Sequence, residues 1–413
     1  MGIIYKNNDP YIEEQNLVEL TNSIPTPFYA YSQKKINDSV LELKKNLNKD
    51  IYFSIKANSN QAIIKLINSL GVGFDVVSIE EMERALYANV SPKKIIFEGV
   101  GKSEKDIAYA INKDIKQINV ESIEELQLVN NISKKINKKP YVGLRINPDI
   151  HSKSLDKIST GRKNDKFGID FNQLNVACEI LKTLNDINFI GLSCHIGSQI
   201  FQIDIFKKIF EKMKEAIEIF ESNNFKINYL NLGGGFGISY ENDSLQLNIT
   251  ELANLINKMF PNPSYEISFE PGRFIVARAG FIVTKILTKK QNGGVNFLIT
   301  DAGMQTLIRP AMYNTFHKIL PFNTKGENIT YTIGGPICES SDILAKKIIL
   351  PKQRKDNFLI ICDVGAYGSV MSSNYNSKCL PAEILINKNQ YSIIRNHESI
   401  NSLIERDIIP NWL

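Results

Sequence analysis

Between residues 33 and 270 the hydrophobic pattern alternates: short runs rich in β-branched and aromatic residues give way to longer stretches with apolar positions three and four apart. That rhythm predicts strands near 51–55, 73–77, 94–97, 116–120, 141–146, 189–193, 229–232 and 266–270, with amphipathic helices such as 204–222 between them. Eight parallel strands with crossover helices can close into a (β/α)8 TIM-like barrel, because the helices cover the sheet and closure removes its edges. An open, doubly wound sheet is the competing arrangement, and the count of eight favours the barrel. After about residue 275 the pattern changes to strand-like runs split by turns, at 281–287, 296–299, 329–332, 358–362 and 383–386. The expected organisation is α/β: a barrel over 26–275, and a mainly β domain over 276–413 joined by residues 1–25.

Composition narrows the functional classes. The chain of 413 residues has a net charge of only +5, and its lysines are scattered through amphipathic stretches, so nucleic-acid binding gains no support. Its most apolar runs, such as 358–361, are far shorter than a bilayer span, and the start MGIIYKNNDP has no hydrophobic signal core. Lys6 stands where a myristoylation signal wants Ser or Thr. The expectation is a cytoplasmic enzyme with no membrane partner. Five cysteines without paired metal spacing point to reduced thiols and to no metal site, and the sequon at Asn248 then carries no weight.

In a barrel of this kind the chemistry gathers at the C-terminal ends of the strands. Lys56 follows the first strand among hydrophobic and small neighbours, which would desolvate its amine and suit a Schiff base; the bland alternative is a solvated surface lysine. Asp75 ends the second strand. His195 and Ser198 follow the sixth in SCHIGSQ, and His195 is either a flat partner for a ring or an ordinary core histidine. Gly233, Gly234 and Gly235 follow the seventh, where backbone N–H groups could approach a phosphate or simply make a tight turn. Glu270, Pro271, Gly272 and Arg273 follow the eighth: a carboxylate able to hold a proton on a pyridine nitrogen, then a planar fork for an anion, unless the two charges form a surface ion pair. In the second half, Arg309 and Tyr313 lie four apart, Cys338 precedes Glu339, and Tyr367 sits in DVGAYG. Each has a structural alternative: a surface ion pair for Arg309, a buried thiol for Cys338, a solvated loop charge for Glu339.

Taken in order, SIKAN, GFDVVS, SCHIGSQ, LGGGFG, EPGR, DAGMQTLIRPAMY, GGPICESSD and DVGAYG resemble the diaminopimelate decarboxylases, within the fold type III pyridoxal-phosphate decarboxylases, over about residues 25–385. The resemblance implies pyridoxal 5'-phosphate as cofactor, and conversion of meso-2,6-diaminopimelate to L-lysine and carbon dioxide, the last step of lysine biosynthesis. It implies that Lys56 holds the cofactor covalently, that His195 stacks on its ring, and that Glu270 faces the pyridine nitrogen. Asp75, Ser198, Gly234, Gly235, Pro271, Gly272, Arg273 and Tyr367 complete the cofactor site. Arg273, Arg309, Tyr313, Glu339 and Tyr367 would bind substrate, with Glu339 taking the far ammonium. Cys338 would donate the proton, supplied with Glu339 by the second subunit of a homodimer with shared active sites. The segment 151–168 would be a mobile lid. Departures are small: Phe53-Ser54-Ile55 precedes the lysine, and Gln305-Thr306 follows DAGM. The nearest rival is a decarboxylase for ornithine, arginine, lysine or carboxynorspermidine. A racemase is disfavoured because Glu270, a carboxylate, stands where related racemases have an arginine. A non-catalytic homologue would lack cofactor residues that are all present here.

Overall fold

The computed structural model describes residues 2–150, 160–241, 247–261 and 265–413, and its chain divides into two units. One comprises Ser39–Ser239 and Ser244–Ile275; the other comprises Met1–Asp38, Tyr240–Asp243 and Val276–Leu413. Residues 26–38, counted with the barrel on sequence grounds, cluster with the β unit. The reason is pairing: strand Phe28–Ser32 runs between Gly280–Asn292 and Ala382–Asn387.

The first unit is a closed barrel. Strands Asp50–Ser54, Gly73–Val76, Ile95–Phe97, Gln117–Val120, Tyr141–Asn147, Asn188–Ser193, Tyr229–Asn231 and Glu266–Phe269 pair in parallel in chain order. The last returns to the first through Ser268 opposite Asp50 and Phe269 opposite Ile51, which rules out the open sheet. Helix starts follow local chemistry. Ser78, Ser103 and Ser122 each accept a hydrogen bond from the N–H three residues on, and Asp106 completes a capping box with Ser103. Asp114 and Asn137 end their helices in the left-handed conformation that short polar side chains tolerate.

The lumen is apolar at its floor and polar towards its mouth. Tyr52, Ile96 and Tyr229 pack together at the floor, and the Lys116 ammonium lies 5.2 and 4.9 Å from the centroids of the two tyrosine rings. Higher up, strand register sets Arg145, Ser193, Asn231 and Ser268 side by side. Gly143 lies opposite Asn119, and a Cβ there would overlap the Asn119 and Gln117 amides, so glycine makes room for polar groups from the next strand.

In the β unit, Gly280–Asn292 pairs with Phe28–Ser32, Val295–Thr300 and Phe358–Cys362. Phe28, Ala30, Phe281, Val283, Ile360 and Ile384 form its core, joined by Ile3 and Ile12 from a small N-terminal meander. Among the described residues no helix is long and apolar enough to cross a membrane, and no group of His, Cys, Asp and Glu could hold a metal ion.

Candidate active site

Five of the barrel's eight strand ends deliver the sequence-predicted residues to one mouth. Lys56 lies in a short turn directly after the first strand, and its ammonium is 3.6 Å from the Asp75 carboxylate at the end of the second. The Lys56 side chain is 40 % exposed while that of Asp75 is 1 % exposed, so the surroundings are not the purely apolar ones read from the sequence. The amine faces the opening and has a buried anionic neighbour. Both Asp75 carboxylate oxygens are buried without a hydrogen-bond partner. Solvent screening of the exposed lysine keeps the pair to about 1 kcal/mol or less.

Glu270 and Arg273 are both buried, so they are not a surface ion pair. The Glu270 carboxyl accepts from the Asn231 side-chain amide, while the Arg273 guanidinium donates to the Ser198 hydroxyl at 3.1 and 3.2 Å. Burial, then the neighbouring carboxylates of Glu98 and Asp75, push the Glu270 carboxyl well above the usual carboxylate range, against the opposing charge of Lys56. Glu98 is pushed up for the same first reason, with the Arg145 charge opposing. These carboxyls are poised to hold protons until a cationic partner arrives.

His195 is held neutral. Burial lowers its pKa, the Lys56 and Arg145 charges lower it further, and its Nδ1 accepts from the Gly234 N–H at 3.2 Å, which places the ring proton on Nε2. Its carbonyl accepts from Arg145 Nη2 at 3.3 Å and from the Thr160 hydroxyl at 2.9 Å. Arg145 also donates to Glu121 at 2.7 Å, and the other Glu121 oxygen accepts from the Gly168 N–H at 2.9 Å. The described end of the segment read as a lid is thus tied to the barrel; residues 151–159 lie outside the described residues.

The three glycines are required by their neighbours' backbones. A Cβ on Gly233 would overlap the Cys194 carbonyl, one on Gly234 the Glu270 carbonyl, and one on Gly235, with φ +80°, the Gly197 carbonyl. Close packing thus brings loops 194–200, 233–237 and 270–273 together. Gly272 approaches Ser54 and Ala57, so the segment Glu270-Pro271-Gly272-Arg273 sits against the lysine turn.

The remaining candidates belong to the β unit. Arg309 and Tyr313 lie on one short helix, Arg309–Tyr313. Arg309 is buried, not a surface ion pair: it donates to the Tyr240 hydroxyl at 2.7 Å, with its guanidinium 4.9 Å from a tyrosine ring centroid in the same residue. Cys338 and Glu339 are exposed on the turn after strand Asn328–Gly334, so Cys338 is not a buried thiol. Tyr367 holds φ +56°, a conformation a non-glycine residue seldom adopts in a turn.

Residues 33–277 match the model of the pyridoxal-dependent decarboxylases, pyridoxal binding domain. The chain is 36 % identical to the diaminopimelate decarboxylase of Aquifex aeolicus over 97 % of this chain and 96 % of that protein. The chain belongs to the diaminopimelate decarboxylase family. The crystal structure of the Methanocaldococcus jannaschii diaminopimelate decarboxylase superposes with a TM-score of 0.94 at 33 % identity, covering 100 % of this chain and 99 % of that one. The Helicobacter pylori diaminopimelate decarboxylase in complex with L-lysine gives 0.89 at 34 % identity, over 95 % and 99 %. Within this decarboxylase fold, sequence reading missed Glu98, Asn119, Glu121, Arg145 and Asn231. Only Arg145 left a signal: a lone charge inside the apolar strand GLRIN, two positions from a lumen-facing glycine.

Proposed function

We propose that the protein binds pyridoxal 5'-phosphate in the barrel mouth and, as a cytoplasmic homodimer, decarboxylates meso-2,6-diaminopimelate to L-lysine and carbon dioxide. The observation that carries this reading is the buried, proton-holding Glu270 in the same mouth as the outward-facing Lys56 amine and the buried Asp75 carboxylate beside it, in a chain of this family. Those residues fit the cofactor. An amine is available to its aldehyde, a carboxyl with a raised pKa to its basic ring nitrogen, and the Ser198, Arg273, Gly234 and Gly235 cluster to its phosphate. When bound, pyridoxal phosphate supplies the electron sink that accepts the electron pair of the breaking carbon–carboxylate bond.

The chain's own residues do the rest. Lys56 binds the cofactor through Nζ, and Asp75 orients that amine. Glu270 holds a proton at its carboxyl oxygen, shared with the ring nitrogen, and Asn231 fixes the carboxyl's rotation. His195 offers a neutral ring face, locked by the Gly234 N–H. Pro271 and Gly272 keep Glu270 and Arg273 on one rigid segment, and Tyr367 joins the phosphate set. Arg273, Arg309 and Tyr313 bind the far carboxylate of the substrate, Glu339 binds its far ammonium, and Cys338 delivers a proton from Sγ to the alpha carbon. Cys338 and Glu339 come from the partner subunit.

The test is release of carbon dioxide and lysine from meso-diaminopimelate by cofactor-loaded protein, beside ornithine, arginine and LL-diaminopimelate, with Lys56→Ala as control. Turnover of the meso isomer, lost in the control, is expected. Turnover of ornithine or arginine instead would overturn the roles given to Arg309 and Glu339.

A further inference from the structure

Two loops of the β unit hang from adjacent residues of the segment 301–306. The Met304 N–H donates to buried Asp342 at 2.6 Å, and the Ile337 N–H donates to its second oxygen at 2.7 Å, which fixes the turn carrying Cys338 and Glu339. Gly335 and Gly303 allow this: a Cβ on Gly335 would overlap both the Gly303 Cα and the Asp342 carboxylate. The carbonyl of the next residue, Gln305, accepts from the Ser373 N–H at 2.9 Å and seats the turn Tyr375–Ser377. Asn376 and Ser377 complete that turn with φ of +55° and +53°.

The shared mount brings the Tyr375 hydroxyl to the Glu339 carboxylate, and the Ser341 hydroxyl donates to the same carboxylate from the other loop. Glu339 is exposed, yet it is held by two neutral donors. Among the described residues no lysine, arginine or histidine pairs with it. Ordering an exposed glutamate costs rotamer freedom, and here that ordering is done before any ligand arrives. The result is an oriented carboxylate whose charge is not compensated within the chain, which is what a cationic ligand needs. Hydrogen bonds from Ser341 and Tyr375 hold its carboxyl below the ordinary range, so it stays charged.

We infer that Tyr375 and Ser341 are positioning residues that aim Glu339 at the ammonium of the amino-acid centre that is not decarboxylated. This rests on the function proposed above. It adds two residues to substrate recognition and gives the Met304-Gln305 pair a purpose, the alignment of two separate loops.

Product binding tests it. Decarboxylation leaves the reacting amine as the ε-amine of lysine, so the α-ammonium of lysine is the group Glu339 would read. The compound 6-aminohexanoate is lysine without that ammonium. Calorimetric titration of the holoenzyme with each ligand should show a preference for lysine. In Tyr375→Phe, lysine affinity should fall about tenfold, the scale of one hydrogen bond to a charged group, while 6-aminohexanoate affinity stays the same. Adding Ser341→Ala should widen the loss. In turnover the loss should appear in KM more than in kcat, and the acid limb of kcat/KM should move to higher pH, because Glu339 without its donors protonates more readily. Equal weakening of both ligands, or an unchanged preference for lysine, would overturn the inference and leave the proposed function standing. A wild-type holoenzyme that neither prefers lysine nor releases it from meso-diaminopimelate would overturn both.

Discussion

Glu270 shows how one side chain acquires its properties from several strands. Its chain position, directly after the eighth strand, marks it as a mouth residue; its raised pKa comes from burial and from Glu98 and Asp75, which reach it only because the barrel closes. Glu270→Gln keeps an acceptor for the Asn231 amide but removes the proton-holding oxygen. Cofactor-loaded Glu270→Gln should keep its cofactor absorbance and lose about 10²- to 10⁴-fold in decarboxylation. A variant within tenfold of wild type would show that this oxygen does not hold the proton that matters. Residue by residue, the sequence reveals side chains that sit at strand ends in distinctive company, such as Lys56, His195 and Glu270. It conceals Glu98, Glu121 and Asn231, which are single polar residues beside apolar runs and acquire a direction only from strand register. Tyr375 is concealed for another reason: its contact with Glu339 joins two loops far apart in the chain.

At the scale of elements, helix Ile79–Tyr87 illustrates a boundary that titrates. Its cap Ser78 accepts from the Glu81 N–H at 3.2 Å, and the Glu81 side chain accepts from the Val77 N–H at 2.9 Å. Burial pushes the Glu81 carboxyl from 4.5 up to about 7; the Val77 bond and Lys56 oppose the shift and Asp75 adds to it. An acid whose pKa rises on folding binds its proton more tightly in the folded state. Its contribution to stability is therefore complete below pH 4.5 and is lost as pH rises through about 7. At about 1.4 kcal/mol per unit, reduced by the partial solvation of this helix start, the loss is on the order of 1–2 kcal/mol. Glu81→Gln retains an acceptor for Val77 without titrating, so thermal melts across that window should show a smaller decline for the variant than for wild type. A parallel decline would place the titrating group elsewhere. The barrel strands were legible because each is a short β-branched run between helical periods. Phe28–Ser32 was not: it is buried throughout, lacks alternation, and owes its place to partners more than 240 residues away. Ile343–Pro351 was missed because its middle is exposed and carries two lysines, which breaks the apolar run.

For the whole molecule, the division of labour between the two units sets the decisive experiment. Lys56, His195 and Glu270 belong to the barrel, whereas Arg309, Tyr313, Cys338 and Glu339 belong to the β unit. Cys338 and Glu339 lie exposed on the chain, and the proposed function gives them to a partner's site. If each site takes Lys56 from one subunit and Cys338 from the other, Lys56→Ala and Cys338→Ala are complementary lesions. Each homodimer is impaired at both of its sites. A hybrid dimer carries both lesions in one site and neither in the other, so one site is intact. Equal amounts mixed and allowed to exchange subunits form hybrids as half of all dimers, and activity should recover to about a quarter of wild type, because half the dimers each regain one of two sites. Sites contained within one subunit would recover nothing on mixing, since every site would then carry one lesion or the other. The recovered fraction therefore reads the sharing of sites directly, without depending on how fast either parent enzyme turns over.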